Sequence, residues 1–326
     1  NKAMKNLTYS PIKLLCFVVL VGVLTGCQKS SMRIKINPDS YHASVDKVTD
    51  IMIHDIFSPP VASRVFAYPN VAAYEILVQK DTTYASLVHT ANGLNSIPKI
   101  GENPNINANV AALIAHMEVS KMLLFSKEKL DVLKDSLYQK WQQINEKEFL
   151  ASQSYALKVV SQVKEWMDAD QYIQTRTMPK YTVAISDASR WQPTPPAYMD
   201  AIEPHWNKIR PFLLQSADQF KPLPHPKFSL EKDSDFYKEL LEVYAISNRI
   251  TAKGDQSEEV AIAQFWDCNP YVSVTRGHFM FATKKITPGA HWIGIVKIAS
   301  KKTNANLMET VNAYTKTSLA IADAFI

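Results

Sequence analysis

The residue types that most often carry out catalysis are present in this sequence, but their spacing matches no common catalytic motif. The eight histidines are His42, His54, His89, His116, His205, His225, His278 and His291. None forms an HExxH motif, and no two lie four residues apart, the spacing that puts two imidazoles on one helix face around a metal. No G-x-S-x-G elbow, G-x-G-x-x-G turn or Walker motif occurs. These patterns predict no metal site and no common nucleophilic site.

Three short stretches contain groups that bind oxyanions, since each combines a cation with a hydrogen-bond donor. They are Arg276 to His278, Lys208 to Pro211, and His54 and Asp55 together with Arg64. In each, a solvated loop or a structural hydrogen bond is the commoner explanation. A fourth stretch, Phe265 to Pro270, places Asp267 and Asn269 where a helix ends. Their side chains either bond a nearby backbone or a buried arginine, or simply mark the helix end.

Apolar residues recur with helical spacing along most of the chain. We predict helices at about 42–56, 62–77 with an interruption near Pro69, 107–125, 126–144 with Ser126 as N-cap, 148–168, 234–251, 257–266, 287–300 and 304 onward. Thr287 followed by Pro288 is the preferred start of a helix. The fold class that follows is all-α, a helical bundle.

Residues 170–227 interrupt this helical pattern with nine prolines. Large aromatic residues, Trp191, Tyr198, Trp206 and Phe212, lie between them. So many large apolar groups argue against disorder. We predict a long, ordered, Pro-rich loop that wraps the helical body and holds at most one short hairpin or helix.

The first residues resemble a bacterial lipoprotein leader. Lys2, Lys5 and Lys13 precede an apolar run that is short for a membrane span. Leu24 to Cys27 then matches a lipobox, in which the cysteine is the first residue of the mature protein and is alkylated by a lipid. We predict a signal peptide at 1–26, a tether at 27–39 and one helical domain at 40–326. Lipid-modified Cys27 would anchor the protein in the bacterial cell envelope.

Composition excludes several other classes of function. The net charge of +5 includes the three leader lysines, and subtracting them leaves +2. A chain so close to neutral gives no electrostatic footprint for nucleic acid. Only 8 of the 326 residues are glycine, which argues against glycine-built phosphate loops. Of the three cysteines, Cys16 leaves with the leader and Cys27 is lipidated, so Cys268 has no partner for an intramolecular disulfide.

The last predicted helix keeps its apolar period up to Ile326, and no Gly, Asn or Pro closes it. We therefore expect the natural protein to continue beyond Ile326.

Several stretches, taken in order, resemble the helical front half of bacterial vanadium-dependent haloperoxidase-like proteins of the type 2 phosphatidic acid phosphatase superfamily, which are familiar as Bacteroidetes lipoproteins. The stretches are Trp191 to Pro196, Pro204 to Asn207, Arg210 to Phe212, Phe265 to Pro270, Pro288 to Trp292 and Leu319 to Ile326. The order of these stretches along the chain, rather than any one of them, carries the resemblance.

The resemblance implies an anion site in a helical bundle. Its motifs in the family are Lys-x6-Arg-Pro, then Ser-Gly-His, then Ser-Arg followed by His, and the first comes just after the helix that here ends in Ala322 to Ile326. This sequence contains no such series of motifs. The resemblance implies vanadate as cofactor of a full-length peroxidase and no cofactor for this chain alone. It also implies that Asp267 or Asn269 supports an oxyanion-binding arginine in the missing half.

The function that follows is an envelope lipoprotein forming the front half of a haloperoxidase-like or acid phosphatase-like enzyme, inactive by itself. Its partners would be a membrane and the missing C-terminal half of the same domain. The alternative is a non-catalytic helical surface lipoprotein that binds glycan or acts as a scaffold, with Trp191, Tyr198 and Trp206 as its ligand platform.

Overall fold

A computed structural model of the chain describes residues 32–195, 198–253, 257–266, 271–276, 279–284 and 287–326. The chain divides into two units, Asn1–Arg33 and Ile34–Ile326. Only residues 32 and 33 of the first unit are described, whereas the second contains every element given below. None of the helices in the described ranges combines the length and the apolar character needed to cross a bilayer.

The second unit is built mainly of helices, so the predicted all-α class is confirmed. The α-helices are α1 (Pro38–Asp55), α2 (Pro59–Leu77), α3 (Ala108–Leu123), α4 (Glu128–Asp168), α5 (Tyr172–Thr175), α6 (Asp235–Lys253), α7 (Glu258–Trp266), α8 (Pro288–Lys302) and α9 (Leu307–Phe325). Two short 3-10 helices also occur, Val78–Lys80 directly after α2 and Trp206–Lys208 between α5 and α6.

Helix α2 is the central element of the bundle and packs against α3, α4, α8 and α9. It runs without a break through Pro69, so the predicted interruption there is wrong. A proline inside a helix costs about 3 kcal/mol. Nearly all residues of α2 are buried, and this packing outweighs the lost backbone hydrogen bond.

The two helices predicted at 126–144 and 148–168 form one helical run that is kinked at Asn145, so the predicted break between them is confirmed. Asn145 has non-helical angles (φ −159°, ψ 88°), and its side chain accepts from the N–H of Glu148 at 3.1 Å, as an N-cap does. The predicted N-cap at Ser126 is wrong, because α4 begins at Glu128. The Ser126 N–H and hydroxyl instead donate to the Asp55 carboxylate, at 2.9 and 2.5 Å, at the end of α1.

One hairpin was not predicted. Strands β1 (Tyr271–Arg276) and β2 (Phe279–Lys284) pair antiparallel, with Arg276 opposite Phe279. The segment from Tyr271 to Thr275 is rich in β-branched residues, which favour strands. Two residues, Gly277 and His278, separate the strands in the sequence, and a two-residue connection that begins with glycine is typical of a hairpin.

The tether predicted at 27–39 is too long at its C-terminal end. Ile34 is buried, and its N–H donates to the Glu148 carboxylate at 2.8 Å. Helix α1 already begins at Pro38, with Asn37 as its N-cap. Residues 34–39 therefore belong to the folded domain, because the buried Ile34 side chain and this hydrogen bond fix their path.

Candidate functional site

Three predicted site residues, Cys27, Asp267 and Asn269, lie outside the described residues. Gly277 and His278 lie outside them as well. Their predicted roles remain predictions. Arg276 is the last residue of strand β1.

An ion pair in the domain interior joins the start of α2 to the end of α4. The Arg64 Nε donates to Asp170 Oδ2 at 2.6 Å, and the Tyr68 hydroxyl donates to the same oxygen at 2.8 Å. Arg64 is 7% exposed and Asp170 is 1% exposed. The Arg64 guanidinium also lies 4.4 Å from the ring centre of Tyr172, a cation–π distance. Burial, with the Asp170 charge as a smaller cause, raises the pKa of Tyr68, so its hydroxyl stays protonated and donates.

The oxyanion-binding interpretations of His54 and Asp55 with Arg64 therefore fail. Asp55 bonds to Ser126 and to His54, whose Nδ1 lies 2.9 Å from it. Arg64 uses its Nε on Asp170 and its Nη2 on the Met167 carbonyl at 3.4 Å. Asp55 joins the end of α1 to Ser126, just before α4, whereas Arg64 joins α2 to Asp170, just after α4.

Arg210 in the stretch from Lys208 to Pro211 is likewise structural. Its Nη2 donates to the Trp166 carbonyl at 2.9 Å and to the Tyr68 hydroxyl at 3.2 Å, and its Nη1 donates to the Ala169 carbonyl at 3.4 Å. Its guanidinium lies 5.3 Å from the ring centre of Trp166. Arg210 thus fixes the Pro-rich loop to the C-terminal end of α4.

On the last helix, the carboxylate of Asp323 accepts three backbone hydrogen bonds from the Pro-rich loop. Asp323 is 7% exposed and was not predicted as a site residue. Its Oδ1 accepts from the N–H of Phe212 at 2.6 Å, and its Oδ2 accepts from those of Leu213 at 2.7 Å and Leu214 at 3.1 Å. Hydrogen bonds to an ionised acceptor are roughly twice as strong as neutral ones. One carboxylate therefore clamps the loop onto the end of α9.

Asn92 binds the opposite side of the same loop segment, residues 211–214. The Asn92 N–H donates to the Phe212 carbonyl at 2.8 Å. Its side-chain amide donates to the carbonyls of Pro211 at 3.0 Å and Leu214 at 2.7 Å. Asp323 satisfies the N–H groups of this turn and Asn92 satisfies its carbonyls, so the turn has little freedom to move. The end of α9 is consequently fixed in position.

Histidines and tyrosines link α1 to α3 and α9 inside the bundle. His42 Nδ1 and the Tyr314 hydroxyl share a hydrogen bond of 2.7 Å, and Ser44 and His116 Nδ1 share one of 2.9 Å. Burial lowers the pKa of His116 to about 3. Burial, assisted by nearby Lys301, also lowers the pKa of His42. Both imidazoles are neutral at pH 7 and serve as hydrogen-bonding core residues.

The aromatic platform of the alternative interpretation is not one site. Trp206 is 6% exposed and packs edge-on against Tyr172 at 6.1 Å. Trp191 is 50% exposed and packs against Tyr181 at 5.6 Å, while Tyr198 is 60% exposed. Trp206 therefore anchors the loop, and of the three only Trp191 and Tyr198 are open to solvent.

The described residues do not by themselves fit a vanadate ion. A highly charged oxyanion needs several cationic donors that converge on one point. The Arg64 and Arg210 guanidiniums already donate to Asp170 and to backbone carbonyls. The Arg210 Nε has no partner among the described residues, but this atom is itself buried. In those ranges no group of three or more His, Cys, Asp or Glu could hold a metal ion either. A vanadate site requires further cations.

Comparison with solved structures finds a strong match. The chain is similar to a protein described as the first bacterial vanadium-dependent iodoperoxidase, with 58% identity and a TM-score of 0.85. The match covers 91% of this chain and 69% of that one. No protein-family model matches the chain, and no curated protein matches it. At this identity and coverage, the chain belongs to the vanadium-dependent haloperoxidase-like proteins.

Asp170 and Asp323 were both missed by the sequence analysis, although one signal pointed to them. Each carboxylate lies at the C-terminal end of a helix, where the helix dipole disfavours negative charge. An acidic residue in that position suggests a specific partner. The partners themselves, at positions 64 and 212–214, are distant in the sequence and could not be found from it.

Proposed function

We propose that the complete protein is a vanadate-dependent haloperoxidase that oxidises iodide, and that this chain is its front part. The observation that carries the proposal is the 58% identity to an iodoperoxidase over 91% of the chain. Vanadate, when bound, would supply the centre at which the halide is oxidised. The residues of this chain would position the end of α9, after which the family's first anion-binding motif is expected.

The clamp at Asp323 supports this role. The anchoring of α9 to Phe212, Leu213 and Leu214 gives any segment that follows Ile326 a fixed starting point. Positional errors near 1 Å reduce rates strongly in catalytic sites. We propose that these three hydrogen bonds to one buried carboxylate give the expected Lys-x6-Arg-Pro motif a rigid origin.

An apolar groove between α8 and α9 supports the proposal that further polypeptide packs on this domain. The groove has a volume of about 480 Å³, and Trp292, Ile295, Ala313 and Thr317 are among its lining residues. Trp292 is 54% exposed and Ile295 is 37% exposed. We propose that the rest of the haloperoxidase domain covers this groove, since contiguous exposed apolar surface of this kind usually marks an interface.

We further propose that the chain is inactive alone. The described guanidiniums at Arg64 and Arg210 are engaged in structural contacts. Without the expected downstream Lys, Arg and His groups, the charge of vanadate would be poorly compensated, and its affinity would be low.

Two observations test this proposal. The reading frame beyond Ile326 should encode Lys-x6-Arg-Pro within a few residues, followed by Ser-Gly-His; a stop codon without these motifs would overturn it. Equilibrium dialysis against orthovanadate should show retention by the extended protein and none by the 326-residue chain. Strong retention by the short chain would overturn the proposed inactivity.

The location is a separate proposal. We propose that the protein is a bacterial envelope lipoprotein anchored through Cys27, because residues 24–27 match a lipobox. Cells that express the protein should incorporate labelled palmitate into it and retain it in the membrane fraction. Cys27→Ser should abolish both, whereas Cys16→Ser, within the leader, should change neither. Palmitate labelling that persists in Cys27→Ser would contradict the proposal.

A further inference from the structure

A second cavity lies away from the Asp323 clamp, in the connection between α2 and α3. It has a volume of about 570 Å³, within the range of 300–1,000 Å³ that is typical of small-molecule sites. The connection spans residues 81–107 without an α-helix or strand. Loops of this length inside a compact domain are uncommon and often bind ligands.

The buried wall of the cavity is formed by Glu75, a residue of α2 that is 1% exposed. Its Oε2 accepts from the Ser86 hydroxyl and its Oε1 from the N–H of Leu87, each at 2.6 Å. Burial raises the pKa of Glu75, while these two bonds and the charge of Lys99 oppose that shift. A carboxylate has about four acceptor positions, and these two bonds use two of them.

The wall is held rigidly by Gln79. Its Nε2 donates to the Glu75 carbonyl at 2.9 Å and to the Tyr155 hydroxyl at 3.0 Å. Its Oε1 accepts from the N–H of Ile100 at 2.9 Å. The inner wall of the cavity is therefore built on two fixed side chains, Glu75 and Gln79.

The open side of the cavity presents an aromatic ring and several hydrogen-bonding groups. Tyr84 is half-buried, and His89, Asn95, Ser96 and Lys99 are exposed at the rim. His89 has φ +65°, in the left-handed region, and non-glycine residues in such conformations cluster at functional sites.

We propose that this cavity binds a neutral polyhydroxylated molecule of about monosaccharide size. Both donors and acceptors line it, as alternating hydroxyl groups require, and Tyr84 offers an apolar face with a polar edge. The Glu75 carboxyl accepts from two donors, as a carboxylate does, and its charge and that of Lys99 offset each other, which favours a neutral ligand over an anion. The proposal does not depend on the peroxidase activity, because the cavity and the Asp323 clamp share no residue.

Saturation-transfer NMR on the purified chain tests this, with glucose, galactose and mannose as neutral probes and phosphate and acetate as charged ones. At least one sugar should receive saturation at millimolar concentration. Asn95→Ala should weaken its binding about fivefold, the effect of one lost hydrogen bond, and Tyr84→Ala should abolish it. Asn207→Ala is the matched control, since Asn207 is exposed and does not line the cavity.

Three results would overturn the proposal: no transfer to any sugar, binding of the anions alone, or a sugar signal that Asn95→Ala and Asn207→Ala leave equally strong. Because Tyr84 contacts the core, circular dichroism must show that Tyr84→Ala is folded. The outcome for Asn95→Ala decides the question if it is not.

Discussion

Replacement of Asp323 by asparagine is the sharpest perturbation of the clamp on α9. An asparagine keeps the shape of the side chain but has one acceptor oxygen in place of two. Its best orientation accepts from Leu213 and Leu214 and turns the amide nitrogen toward the N–H of Phe212, which now bonds at 2.6 Å. One buried donor is left unpaired, and two bonds lose their ionic character.

The expected cost follows from these two losses. An unpaired buried N–H costs about 1–3 kcal/mol. The two remaining bonds each weaken by about 0.5–1 kcal/mol, since bonds to charged acceptors are about twice as strong. We expect Asp323→Asn to lower the free energy of unfolding by about 3 kcal/mol.

Urea denaturation followed by circular dichroism measures this loss, and hydrogen exchange with mass spectrometry locates it. Exchange should rise in the peptide that covers residues 210–216, while α3 keeps its protection. Asp168→Asn is the matched control. The Asp168 side chain is 45% exposed and pairs with Lys164 on the same helix, so its loss should cost below about 0.5 kcal/mol. Equal stability and equal exchange in the two variants would refute the clamp.

Three further predictions concern the rest of the bundle. Asp170→Asn leaves the buried Arg64 without its counter-charge. It should lower the free energy of unfolding, measured by urea denaturation, by about 3–5 kcal/mol. A loss below about 1 kcal/mol would contradict the ion pair as described. Gly93→Ala should lower the melting temperature more than Gly101→Ala does. Both positions have positive φ, but only at Gly93 would the new Cβ meet another group, Arg210 Nη1 at 3.1 Å. Equal melting temperatures of the two variants would contradict that close approach. Burial lowers the pKa of His116 in the folded state from 6.5 to about 3, so between these pH values the unfolded state binds more protons than the folded state. The free energy of unfolding should therefore fall as the pH falls through that window, by up to about 1.4 kcal/mol per pH unit. If a His116→Gln variant shows the same dependence of unfolding free energy on pH, other groups cause it.

Local signals in the sequence located most helices well. The start of α8 is an example, because the Thr287 side chain accepts from the N–H of Ala290 just as an N-cap before Pro288 predicts. Ser126 shows the limit of such signals. It has the chemistry of an N-cap, but its hydroxyl bonds to Asp55, a residue 71 positions away.

Tertiary packing explains the errors that local patterns could not avoid. Pro69 continues a helix because α2 is enclosed by its neighbours. In the Pro-rich loop, Trp206 and Phe212 are buried as an ordered loop requires, but Trp191 and Tyr198 are exposed. Composition predicted the order of this loop without indicating which aromatic residues would anchor it.

The candidate site was predictable only in outline. The resemblance indicated a haloperoxidase-like bundle, and the comparison with the iodoperoxidase confirms it. The clamp at Asp323 joins residues about 110 positions apart, and such pairings cannot be deduced from one sequence. The only local sign was a negative charge at the end of a helix.

The measurement that tests the central claim most directly is peroxide-dependent iodide oxidation, assayed with and without orthovanadate. It should be made on this 326-residue chain and on the protein extended along its natural reading frame. We predict oxidation only by the extended protein and only with vanadate. Iodide oxidation by the short chain, or phosphate ester hydrolysis without iodide oxidation by the extended protein, would contradict the account.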